Sequence, residues 1–113
     1  MMAVLAATRR VHGGISTMPL FNLYAVPIMD GAFASTYRIL DENPHLNSVS
    51  AVVAARATAE EARENVHRAA EAVRSASGFF GEMKAQRALR QAGYAAKLAL
   101  DALVATADRH DRG

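Results

Sequence analysis

The chain has 113 residues, with 13 Lys and Arg against 11 Asp and Glu for a net charge of +2, and it contains neither cysteine nor tryptophan. That length allows one domain or less, and so small a charge excess does not by itself argue nucleic-acid binding. The missing cysteine excludes disulfides, thiolate-bound zinc, iron–sulfur clusters and thiol chemistry.

Residues 1–22 contain no acid, and the first acidic side chain is Asp30. Val4, Leu5 and Ala7 predict a short helix that closes at Arg9, Arg10 and the breaker Gly13-Gly14. An acid-free, arginine-bearing start followed by Ser16 and Thr17 has the composition of a mitochondrial transit peptide. A docking arm and a membrane-surface anchor are the competing readings. The expected location is intracellular, mitochondrial on the first reading and otherwise cytoplasmic.

Residues 11–29 carry no formal charge with His12 neutral, and include Ile15, Met18, Leu20, Phe21, Leu23, Val26, Ile28 and Met29. The length matches the roughly 20 residues of a membrane span. Pro19, Asn22, Pro27 and the glycine pair interrupt it, however, and its mean hydropathy is low for a span. A buried or interfacial segment, broken at Pro27, is the expectation. Asp30 is placed to cap a helix over residues 31–40, on which Phe33, Tyr37 and Leu40 share one face. Asp41-Glu42-Asn43-Pro44 ends it, since proline disfavours helical geometry in the residue before it. Residues 1–46 thus read as an apolar docking arm, with Leu20, Phe21, Leu23, Phe33 and Tyr37 as its partner contacts.

Residues 47–113 read as a helical hairpin. Val52, Ala59, Val66, Val73 and Phe80 stand seven apart, and Ala55, Ala62, Ala69 and Ala76 follow the first four by three residues. This is an apolar seam with alanine at every second position, which predicts a slim helix over about residues 48–77 that admits another backbone closely. Asn47 or Ser48 is placed to cap it and Gly78 to end it. Its other faces mix Arg56, Glu60, Glu61, Arg63, Glu64, Arg68, Glu71 and Arg74, as a solvated exterior does, with Glu64 and Arg68 spaced as an ion pair.

A turn at residues 78–81 leads to a second helix over about residues 82–108. Leu89, Ala96 and Leu103 form its seam with Ala85, Ala92 and Ala99, while Ala88, Ala95 and Ala102 make a further small-residue stripe. One stripe can face the first helix; the other is free for a partner. Residues 41–77 carry four arginines against six acids, and residues 78–113 six basic residues against four acids, so the two halves are complementary in sign. Large seam side chains are few, and an isolated hairpin is expected to be marginal. It needs the N-terminal segment, a second copy or a larger complex.

Signals for chemistry are faint. Glu64-x-x-His67 has the i,i+3 spacing that di-iron bundles use, and Glu60 and Glu71 extend that face. The second helix offers no matching motif, and the pair lies opposite the apolar seam, where solvent is expected. His12, His45 and His110 have no ligand spacing, and His110-Asp111 falls in a tail expected to fray. No phosphate-binding loop or nucleophile motif occurs. Lys84, Arg87, Arg90 and Lys97 make an acid-free basic run around Tyr94, a weak footprint for RNA or an anionic lipid surface.

Two Ala-rich helices joined through Phe79-Phe80-Gly81 are similar in outline to the small secreted WXG-type helical hairpins, which carry Trp-x-Gly at the turn. The likeness covers residues 47–109. Here there is no tryptophan, Leu98 rather than an acid follows Tyr94 by four residues, and residues 1–46 have no counterpart, so no membership follows.

The expected fold is all-α, a long antiparallel hairpin preceded by a short helix and a Pro-broken apolar segment. The expected role is a non-enzymatic structural or interaction subunit of a larger assembly, in its finer form an accessory subunit of a mitochondrial complex. Its partners are other subunits or a second copy, with contact at a membrane edge, and no cofactor is implied. The alternatives are a self-assembling bundle with a weak metal site at Glu64 and His67, and a basic nucleic-acid adaptor.

Overall fold

The computed structural model describes residues 21–112, and all the regular structure there is helical. A 3-10 turn at Leu23–Ala25 leads into α1 (Val26–Asp41), followed by the single-turn α2 (Pro44–Asn47), α3 (Ser50–Ser75) and α4 (Phe79–Arg112). Helices α3 and α4 form the expected antiparallel hairpin, and α1 and α2 lie against it, giving an elongated body of 52 × 24 × 17 Å. The short helix expected near the start, Gly13-Gly14, His12 and Leu20 all lie outside the described residues.

Helix α1 begins five residues earlier than the sequence suggests. The Asn22 side chain accepts a hydrogen bond from the Tyr24 amide at 2.9 Å and starts the turn. Pro27 then falls at the second position of the helix. An amide there has no intrahelical acceptor, so proline costs nothing and its fixed φ suits the geometry. The expected break at Pro27 is therefore a helix start. Asp30 does not cap, because it lies inside α1 with its carboxylate free to reach another helix. The end of α1 is as expected: the chain leaves at Asp41, and Asn43 donates from its side chain to the Ile39 carbonyl at 2.7 Å.

The buried face of α1 is Val26, Met29, Ala32, Phe33, Thr36 and Leu40, spaced by threes and fours along one side. Thr36 satisfies its hydroxyl by donating to the Ala32 carbonyl at 2.8 Å. Phe33 is 1 % exposed and, with Met29 and Leu46 of α2, supplies the largest fully buried side chains. These join the hairpin's own buried residues in one continuous cluster. The bulk that the alanine-rich hairpin lacks thus comes from the segment before it, and no break in the core separates residues 21–46 from residues 47–112.

In α3 the buried row is Val52, Ala59, Val66 and Ala70, with Ala55, Ala62, Ala69 and Val73 packed at its margin. Neither Asn47 nor Ser48 caps this helix. Val49 occupies that place without a side-chain bond, Asn47 donates to Asp41 instead, and Ser48 donates to the His45 carbonyl. The helix stops at Ser75, and Gly78, at φ 79°, turns the chain. That left-handed value is costly for any residue with a Cβ. The Gly78 carbonyl accepts from the Glu82 amide at 3.0 Å, so Gly78 opens the next helix rather than closing the last. Phe79-Phe80-Gly81 is accordingly the first turn of α4, not a loop. The heptad count that put Phe80 in the first seam loses its phase at the break, and Phe80 is 83 % exposed.

On α4 the buried residues are Leu89, Gly93, Ala96, Leu100, Leu103, Thr106 and Ala107. Leu89, Ala96 and Leu103 are as expected. The second row, however, follows by four residues at Gly93, Leu100 and Ala107, not by three at Ala92 and Ala99, which sit half-buried beside it. A helix covered by more than one neighbour buries a wider stripe than a two-stranded seam. α4 continues to Arg112, and the expected fraying at its end is replaced by a pair between His45 and Asp111 at 3.4 Å.

Candidate functional site

Two surfaces stand out: a polar junction between α1 and α3, and the outer face of α4 with the hairpin tip. The junction is built by helical spacing. Arg56, Glu60, Arg63 and His67 recur at four, three and four residues along one side of α3, and Asp30 and Tyr37 stand seven apart on α1. The Tyr37 hydroxyl donates to Glu60 at 2.8 Å. Arg63 grips the same carboxylate from Nε and Nη2, at 3.1 and 2.7 Å, and extends Nη1 to Asp30 at 3.3 Å. His67 Nε2 lies 2.8 Å from the same Asp30 oxygen. Arg56 places its guanidinium 4.5 Å from the centre of the Tyr37 ring and donates to Asp41 at 2.8 Å and to Asn47 at 3.0 Å.

The electrostatics follow from these contacts. The Arg63 guanidinium, with help from the Tyr37 hydroxyl, holds the Glu60 carboxyl below its ordinary range. Hydrogen bonds from Arg56 and then Asn47 do the same for Asp41. Burial pushes the Tyr37 phenol upward, and its bond to Glu60 adds to the shift, because ionising it would set two anions side by side. A cleft lined by Asp30, Phe33, Ala34, Tyr37, Arg56, Glu60 and Arg63 opens above the network. Its charges are already matched to one another, as in a clamp fixing α1 on α3.

Glu64 and His67 have different surroundings. His67 turns under α1 to Asp30, while Glu64 remains exposed. Among the described residues no three His, Asp or Glu side chains converge as metal ligands would. The α3 face opposite the seam is also not uniformly solvated, since α1 covers part of it. Arg68 bonds Asn65 in place of the expected partner Glu64.

The expected partner contacts divide sharply. Leu20 lies outside the described residues. Phe21 and Leu23 are half-buried against the chain's own core, Phe33 is enclosed in it, and Tyr37 belongs to the polar junction. Phe21 is seated on Gly93 so closely that a Cβ added there would lie 2.2 Å from the ring's Cγ. Only a glycine admits that approach.

Ala88, Ala95 and Ala102, by contrast, are exposed on the outer face of α4. Tyr94, 63 % exposed, and Leu98, 48 % exposed, stand among them at helical spacing. At the tip, Phe79 and Phe80 meet edge to face with ring centres 5.5 Å apart. Their exposure, with that of Met83, escaped the heptad pattern; the signal that would have found it is Gly78, one residue before the pair. Lys84, Arg87 and Arg90 are exposed behind the tip, whereas Lys97 pairs with Asp101 at 3.1 Å.

The described ion pairs run within single helices or tie α1 and α2 to the hairpin; apolar packing closes the seam between α3 and α4. Among the described residues no helix is long and apolar enough to cross a membrane. Compared with protein-family models, curated proteins and solved structures, the chain matches none.

Proposed function

We propose that this chain is a non-enzymatic interaction subunit of a larger protein assembly, docked through the outer face of α4. The observation that carries this reading is the exposure of Tyr94 and Leu98 among Ala88, Ala95 and Ala102, on a helix whose opposite side is already buried. Alanines on that face let a partner helix approach closely, and Tyr94 and Leu98 supply the apolar anchors around which interface energy concentrates. In its finer form the assembly is mitochondrial. The acid-free, arginine-bearing composition of residues 1–22 supports that address.

The test is sedimentation of the chain recovered from its native source, beside a Tyr94→Ser/Leu98→Glu variant produced in the same way. The wild-type chain is expected in a particle larger than its own monomer and the variant as a folded monomer. A wild-type chain that sediments as a well-folded monomer, or a variant still in the large particle, overturns the proposal.

A further inference from the structure

The geometry points to a second surface with a different occupant: the hairpin tip as a wedge that enters the headgroup layer of an anionic bilayer. Phe79 is 70 % and Phe80 83 % exposed, and each ring's main aromatic neighbour is the other, so the pair projects from the end of the hairpin without joining the core. Met83 lies one turn behind and is also exposed. Advancing about 100° per residue, Phe79, Phe80, Met83, Lys84, Arg87 and Arg90 all fall within an arc of about 140° on α4. Glu82, the single acid between residues 72 and 100, falls outside that arc.

Depth favours a bilayer. At a rise of about 1.5 Å per residue, Lys84 stands about 6 Å and Arg87 about 10 Å behind Phe80. A headgroup layer is about 5–8 Å thick on each side of the hydrocarbon. Apolar rings that reach the acyl boundary therefore bring Lys84 level with the phosphates and Arg87 to the outer edge of the headgroup layer, within reach of its long side chain. Amphipathic anchors bind anionic lipid in this arrangement. None of Lys84, Arg87 and Arg90 has an ion pair among the described residues, so their charge is available. A nucleic acid would instead ask for cations spread along the phosphate rail with bases stacked on the rings. Here the rings lead and the charges follow in depth.

Tyr94 and Leu98 lie on the same side of α4 but about 20 Å or more from Phe80 along its axis, at about 1.5 Å per residue. This inference therefore concerns the tip end alone and does not rest on the docking proposal. Its test is co-sedimentation of the full chain with vesicles of phosphatidylcholine containing about a third phosphatidylglycerol, against phosphatidylcholine alone. Binding to the anionic vesicles is expected, at least 10-fold weaker without phosphatidylglycerol and at least 10-fold weaker in Phe79→Ser/Phe80→Ser and in Lys84→Glu/Arg87→Glu. All four positions are exposed, and circular dichroism checks that the variants stay helical. Tyr94→Ser/Leu98→Glu is expected to bind vesicles as the wild type does, which separates this proposal from the docking one. Absence of vesicle binding, binding that survives both tip variants, or binding to a mixed-sequence oligonucleotide but not to vesicles overturns it.

Discussion

The two long sides of the hairpin are made from similar material and treated in opposite ways. On α3, the charged side opposite the seam is partly roofed by α1, and Arg56, Glu60, Arg63 and His67 find partners there. On α4, the outer side carries Tyr94, Leu98 and exposed alanines with nothing from the described residues over them. Among the described residues, the bulk that the alanine-rich hairpin lacks comes from the α1 side. Met29, Phe33, Leu40 and Leu46 complete the core, while Tyr94 and Leu98 on α4 stay exposed.

The largest expected effect tests the closed side. Phe33→Ala removes a fully enclosed ring and should cost about 3–5 kcal/mol in denaturant unfolding. A loss well under about 1 kcal/mol would mean that α1 is not part of the core. Gly93→Ala sharpens the same point through a change of sign. With Phe21 in place, the added methyl strikes the ring, and overpacking of this kind costs about 1–3 kcal/mol. In a Phe21→Ala background the clash is gone, and alanine's helix preference should make the same change stabilising by up to about 1 kcal/mol.

A smaller effect comes from pH. Glu60 and Asp41 have folded-state pKa values below their ordinary ones, so their contribution is present above the usual carboxylate range and is lost as pH falls through the depressed values. Tyr37 is shifted the other way, so its contribution is intact below about pH 10 and is lost as pH rises beyond it. Thermal melts across pH should show both limbs. Glu60→Gln should flatten the acid limb and Tyr37→Phe the alkaline one, while the half-exposed Glu60 pair is worth only about 1 kcal/mol at neutral pH. Least of all should the open side matter to the monomer. Tyr94→Ser and Leu98→Ala should each move its stability by no more than about 0.5 kcal/mol; a larger loss would show that the outer face packs within the chain.

How far the sequence carried the structure can be seen residue by residue. Val52, Ala59 and Val66 against Leu89, Ala96 and Leu103 were legible because a seven-residue period repeats one physical requirement many times. Pro27 misled, since proline has opposite meanings in the first turn and in the middle of a helix, and only the start at Val26 decides between them. Phe80 misled because heptad counting assumes an unbroken helix, and the left-handed Gly78 resets the phase. Leu100 and Gly93 were missed for a different reason. Gly93 lies under Phe21, a contact from outside the two-helix seam with no local pattern, and Leu100 follows it by seven residues in the same row. The Asp30 link to Arg63 and His67 is of the same kind, spanning more than thirty residues.

In the proposed assembly the outer face of α4 is covered by another protein while α1 is not. Photo-crosslinking in the native source tests it most directly, with a benzophenone side chain placed at Ala95 on α4 or at the exposed Arg38 on α1. One discrete protein adduct is expected from position 95 and none from position 38. No adduct at position 95, or the same adducts from both positions, would contradict it.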